Sequence, residues 1–156
     1  MAWVPNIERA MTVLFESVAD LYSHEARHFI FMNVPPLNRT PEGRFKESWF
    51  SALTAGQYHD FEPQVTKWNS ALTHHVRAFR LRHADVHATI YDANAFFHKV
   101  LDNPTEYGFD DDKCVSGERC MWFDTFHPDS QFHLQLARNF VRHFELNRIS
   151  GINEGI

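Results

Sequence analysis

The strongest constraint on the fold is a pair of short apolar runs with one long amphipathic stretch between them. His28 to Val34 is almost continuously apolar, which predicts a buried parallel strand stopped by Pro35-Pro36, residues that cannot continue a sheet ladder. Asp85 to Tyr91 alternates, with Val86, Ala88 and Ile90 set against polar neighbours, which predicts a second strand. Between them, from about Pro63 to Arg82, Val65, Trp68, Leu72, Val76 and Phe79 recur at helical spacing. Strand, helix, strand in this order implies a parallel pair joined by a right-handed crossover. Two parallel strands cannot bury a sheet that carries helices on both faces. The expectation is therefore a partial α/β/α domain whose remaining strands precede residue 1.

Three more helices complete the predicted set. The first, about Asn6 to His24, points Ile7, Ala10, Met11, Leu14, Val18 and Leu21 to one side, with Asn6 as its N-cap. A short one, Ala93 to Leu101, is closed by Asn103-Pro104. The last, about Asp129 to Asn147, turns Phe132, Leu136, Phe140, Val141 and Phe144 inward. Leu37 to Tyr58 reads as a long loop with a helical turn, and Tyr107 to Met121 as a second loop. There are no repeats or low-complexity tracts. The chain of 156 residues reads as one domain over 1–150 and a flexible tail over 151–156.

Charge narrows the function. A net charge of −5, with Lys and Arg scattered, argues against nucleic-acid binding, which needs clustered cations. The longest apolar run, Phe29 to Met32, is far short of a membrane span. Met1 to Pro5 offers no signal-peptide pattern. Cys114 and Cys120 close a small glycine-containing loop. Paired, they would contribute roughly 2 kcal/mol; two free thiols in a reducing compartment are the other reading. Asn38-Arg39-Thr40 is a glycosylation tripeptide, with Asn38 the candidate acceptor, although Pro41 follows it.

The stretch that carries chemistry is Trp122-Phe123-Asp124-Thr125-Phe126-His127-Pro128. An Asp and a His at this spacing, just before a helix, can fold so that the carboxylate meets imidazole Nδ1. That contact fixes the tautomer and frees Nε2 as a base toward a hydroxyl. The plainer alternative is an Asp capping the final helix beside a surface His. Trp122 flanks this loop, either lining a substrate pocket or simply packing. The eleven histidines do not converge by spacing: His74 and His75 are adjacent, His83 and His87 straddle a helix end, and His133 and His143 lie almost three turns apart. Asp110 to Asp112 lacks the alternating pattern of a calcium loop. No metal or cofactor is expected.

With these segments in hand, the chain resembles the SGNH (GDSL-type) serine esterases, most closely their fungal acetylesterase-like, carbohydrate-esterase branch. Phe29-Ile-Phe-Met-Asn-Val-Pro-Pro36 with Asn38 to Pro41 is similar to the branch's fourth core strand and the loop behind it. Tyr91 to Pro104 with Tyr107-Gly-Phe109 is similar to the fifth strand and its helix. Phe123-Asp-Thr-Phe-His-Pro128 is similar to the closing block that holds the family's Asp and His. The resemblance spans roughly residues 7 to 145 and implies a flavodoxin-like parallel sheet, of which this chain supplies the last two strands. It implies hydrolysis of an ester, with an acetyl group on a carbohydrate as one such substrate. His127 would be the base and then the acid, Asp124 its orienter, and the setting extracellular.

The family's Gly-Asp-Ser nucleophile block and its glycine and Gly-x-Asn-Asp oxyanion blocks cannot be placed. None of the eight serines lies in such a motif. Ser116 precedes Gly117 in the cysteine loop and reads as a turn serine. Gly151-Ile-Asn-Glu154 only loosely echoes an oxyanion block and follows the last helix. One oxyanion donor is worth about 3–4 kcal/mol of barrier, and nucleophile and base act as a unit. The expectation is a C-terminal portion of an esterase, inactive alone, completed by a separate N-terminal half or self-associating through an exposed sheet edge. The competing expectation is a non-catalytic interaction module built on the same remnant.

Overall fold

The computed structural model describes residues 6–44 and 61–150. The expected tail, and the part of the long loop beyond residue 44, lie outside the described residues.

Helix α1 (Ile7–Ser23) begins where the Asn6 side chain accepts the Arg9 amide at 2.9 Å. Ile7, Met11, Phe15 and Val18 form its buried stripe. Leu21, expected inward, is 54% exposed. Steps of three and four residues carry the stripe through Phe15 to the partly buried Tyr22, which leaves Leu21 on the solvent side.

Strands β1 (His28–Met32) and β2 (His87–Tyr91) pair in parallel, with His28 opposite His87 and Met32 opposite Tyr91. A 3-10 turn, Leu37–Arg39, and a four-residue helix α2 (Pro41–Arg44) follow β1. Helix α3 (Phe61–Arg82) precedes β2, and its Leu72, Val76 and Phe79 pack with α1, Val86 and Ala88 in one core. Helix α4 (Ala93–Asp102) is capped by Asp92, whose carboxylate accepts the Ala95 amide at 2.9 Å. Helix α5 (Ser130–Ser150) closes the described chain.

The sheet has helices on both faces. Ala88 and Ile90 face the α1/α3 core, so Tyr91 points the other way. Its ring lies 5.0 Å from Phe140 of α5 and its hydroxyl donates to Asn139 at 2.7 Å. Burial pushes the Tyr91 hydroxyl up to about 12. This is a mixed, partial α/β/α sandwich.

Two expectations about burial need correction. β1 is not buried throughout: Phe29 and Phe31 pack on the core, but Ile30 is 55% and Met32 49% exposed. A continuous apolar run says nothing about which face is covered, and among the described residues one face of β1 is left half exposed. Val141 of α5 is 52% exposed, because the helix buries Phe132 and turns Phe140 toward Tyr91.

The exits of both strands are laced together. Asn33 donates to Asp92 at 2.8 Å and accepts the Asn94 amide at 2.8 Å. Val34 is held through its amide by Asn69 and through its carbonyl by Asn69 and Asn94, at 2.9–3.0 Å. A second core joins α4, the following loop and α5: Phe96, Phe97, Val100, Phe109, Met121, Trp122 and Phe132. Among the described residues no helix is long and apolar enough to cross a membrane.

Candidate functional site

The Asp–His loop rests on this second core. Trp122 is 1% exposed and donates its indole N–H to the Asp112 carbonyl at 3.0 Å. It packs beneath the loop, while the neighbouring Phe123 is 69% exposed. A bridge pairs Trp122 with Pro128, and the Asp129 amide donates to the Met121 carbonyl at 2.8 Å, which folds the segment back on itself. Asp129 then caps α5 by accepting the Phe132 amide at 2.8 Å. The capping role considered for Asp124 thus belongs to Asp129.

Inside that turn Asp124 and His127 meet. Asp124 Oδ1 accepts the amides of Phe126 and His127, each at 2.7 Å, and His127 Nδ1 lies 2.9 Å from Oδ2 and 3.1 Å from Oδ1. An ionised carboxylate only accepts, so the proton between them sits on Nδ1. In the neutral ring, Nε2 is then the basic nitrogen. Three donors, chiefly the His127 and Phe126 amides and then the imidazole, hold the Asp124 carboxyl below the usual carboxylate range. The imidazole is 73% exposed and the carboxylate 47%. The pair therefore faces solvent, oriented but uncovered. Among the described residues, Asp124 is the acceptor that the imidazole Nδ1 faces.

Two supports reach the loop from elsewhere. On one side, α2 presents the Glu42 amide to the Thr125 carbonyl at 2.8 Å, and Arg44 pairs with Asp112 at 2.6 Å. Glu42 is 7% exposed and its Oε1 has no hydrogen-bond partner among the described residues. On the other side lies the cysteine loop. Cys114 and Cys120 are joined in a disulfide with Cα atoms 5.0 Å apart. Within it, the Ser116 amide donates to the Trp122 carbonyl at 2.9 Å and its hydroxyl to the Phe123 carbonyl at 2.7 Å. The three consecutive aspartates separate in role: Asp110 pairs with Arg119 at 2.9 Å, Asp111 caps the Lys113 and Cys114 amides at 2.7 Å, and Asp112 takes Arg44.

Asn38 sits in the 3-10 turn, half-buried, with its amide 3.5 Å from Glu62. The hydroxyl of Thr40, the third residue of that tripeptide, is engaged by Leu37 and Gly43 at 2.9 Å. Among the described residues no three His, Cys, Asp or Glu side chains gather as a metal site.

Sequence reasoning did not single out Glu42, Arg44 or Phe123, and it placed Ser116 only as a turn residue. The Ser-Gly step was the one signal in the sequence for that strap. The clamp from α2 joins residues far apart in the chain and left none.

No protein-family model matches this sequence. It is similar to an acetylesterase of Thermothelomyces thermophilus, with 32% identity over 142 residues, covering 87% of this chain and 45% of that protein. The chain thus spans less than half the length of the relative it matches.

Proposed function

Taking kinship with an esterase over 142 residues as the premise, we propose that this polypeptide supplies the base-bearing portion of an SGNH-type serine ester hydrolase. The observation that carries the reading is the Asp124–His127 contact at 2.9 Å, with Nδ1 turned to the carboxylate and the ring 73% exposed to an incoming partner.

In this mechanism His127 Nε2 takes the proton of a serine hydroxyl as that oxygen attacks the ester carbonyl. Asp124 keeps the imidazole in the Nδ1–H tautomer and stabilises the imidazolium that forms. The imidazolium then returns the proton to the departing alcohol. In the second half, His127 removes a proton from water as its oxygen attacks the acyl-serine carbonyl, and the imidazolium then returns that proton to the departing serine oxygen, releasing the acid. The nucleophile and the oxyanion donors come from polypeptide outside this sequence, and the sequence by itself does not turn over. The substrate is an acetyl ester, with acetylated carbohydrate the preferred class, and the setting is extracellular. The occupant of the open side of β1 is the portion of the enzyme that carries the serine. The half-exposed Ile30 and Met32 fit that docking.

The test is an exchange. The Thermothelomyces acetylesterase, with its matched stretch replaced by this chain, is assayed on 4-nitrophenyl acetate. Hydrolysis is expected, with a loss of about a thousandfold or more in His127→Ala. A folded exchange protein whose activity survives His127→Ala refutes the role given to His127.

A further inference from the structure

We propose that Ser116, pinned by the Cys114–Cys120 disulfide, is a positioning residue that sets the register of the Asp124–His127 loop. The inference rests on the esterase reading for its purpose, but not for its geometry.

The geometry begins with backbone conformation. Ser116 has φ 60°, a left-handed setting that a non-glycine residue adopts only when its surroundings demand it. The demand is visible. Val115 bridges to Trp122 in parallel, and the Ser116 amide and hydroxyl both reach over to the carbonyls of Trp122 and Phe123. Phe123 is the residue immediately before Asp124. Its amide in turn donates to the His127 carbonyl at 2.9 Å, closing the turn that holds the pair. Ser116 therefore fixes one peptide plane at the entrance of the catalytic turn, and that plane fixes the direction of the Asp124 side chain.

The cystine holds Ser116 where it can do this. The bridge flanks it on both sides, and the Cys120 amide donates to the Gly117 carbonyl at 3.1 Å. A Cβ on Gly117 would come within 2.7 Å of Cys120 Sγ, so the loop tolerates only glycine there without moving the sulfur. Asp111 secures the entrance by capping the Cys114 amide. Above the buried Trp122, Phe123 and the His127 imidazole are exposed. The direction of the pair within the turn accordingly rests on a few hydrogen bonds more than on burial.

The prediction is that loosening the strap releases the imidazole while the domain stays folded. Ser116→Gly is the informative variant, since it removes the hydroxyl yet suits the left-handed backbone better. The assay is the ¹⁵N chemical-shift signature of the two His127 ring nitrogens in the full chain at neutral pH, together with amide exchange. The parent is expected to show the Nδ1–H tautomer. Ser116→Gly should shift toward the Nε2–H form, and exchange at Phe126 and His127 should quicken by about tenfold, with thermal melting near the parent's. Reduction of the disulfide, or Cys114→Ser with Cys120→Ser, should move both readouts the same way. The inference is overturned if the Nδ1–H signature persists in Ser116→Gly and in the reduced chain. Asp124→Asn separates the two readings. If it abolishes the signature while the strap variants do not, only the role of Ser116 falls. If even Asp124→Asn leaves the imidazole unchanged, the oriented pair is absent and the esterase reading falls.

Discussion

Asp124 performs two separable tasks, and two substitutions at that position distinguish them. Its Oδ1 accepts the amides of Phe126 and His127, which shapes the turn, while both oxygens face Nδ1, which orients the base. Asn keeps a carbonyl oxygen for the two amides but offers no second acceptor to the imidazole. Ala keeps neither. Two charge-assisted backbone bonds are worth roughly 3–6 kcal/mol when buried. With the Asp124 side chain 47% exposed, water replaces much of that, so about 1 kcal/mol is the figure to expect. In a domain of this size the loss lowers the melting temperature by about 3 °C. Asp124→Ala is therefore expected to melt about 3 °C below Asp124→Asn, which should stay close to the parent. Activity in the exchange protein should rank differently. Both variants should lose about a thousandfold or more, because Asn favours the tautomer whose Nε2 is already protonated. Differential scanning calorimetry and the nitrophenyl acetate assay read the two tasks independently. The reasoning fails if Asp124→Asn retains activity, or if Asp124→Ala is no less stable than Asp124→Asn.

Acid should loosen the same region first. The Asp124 and Asp111 carboxyls are held below their usual range mainly by backbone amides. A depressed folded-state pKa contributes stability that is present above the ordinary value, about 3.9, and is lost as pH falls through the folded value. Amide exchange at Lys113, Cys114, Phe126 and His127 is thus expected to quicken below about pH 4 before the helices open, and uniform loss across the domain would contradict this. The open face of β1 gives a separate expectation. Ile30→Lys with Met32→Lys should reduce self-association of the isolated chain in sedimentation velocity, and a parent that is already monomeric at high concentration counts against that surface being sticky.

The fold class was legible because periodicity encodes it directly. Pro63 to Arg82 carries its apolar stripe in plain spacing, and Leu72, Val76 and Phe79 occupy the core as that spacing requires. The Asp–His geometry was legible for a similar reason, since both partners lie within one short turn. Burial was harder to read. His28 to Val34 looks apolar throughout, yet Ile30 and Met32 are about half exposed among the described residues, and composition alone carries no information about which face is covered. Leu21 and Val141 are off the buried stripes by one helical step, an angular error that apolar character cannot correct. The α2 clamp on Thr125 was illegible because a backbone-to-backbone bond between distant segments has no side-chain signature.

The arrangement also explains how an oriented pair can persist on an open sheet. The α1/α3 core covers one face of β1 and leaves Ile30 and Met32 uncovered, whereas the loop bearing Asp124 and His127 sits over the separate core around Phe132. The Ser116 strap, the α2 clamp and the Asp129 cap hold it through hydrogen bonds of 2.7–2.9 Å, none of them made by the sheet edge. Completing the sheet would therefore change what the imidazole meets more than where it points. Under the proposed function, such a pair would be preorganised before a hydroxyl met it, because its arrangement rests on bonds already formed within this chain.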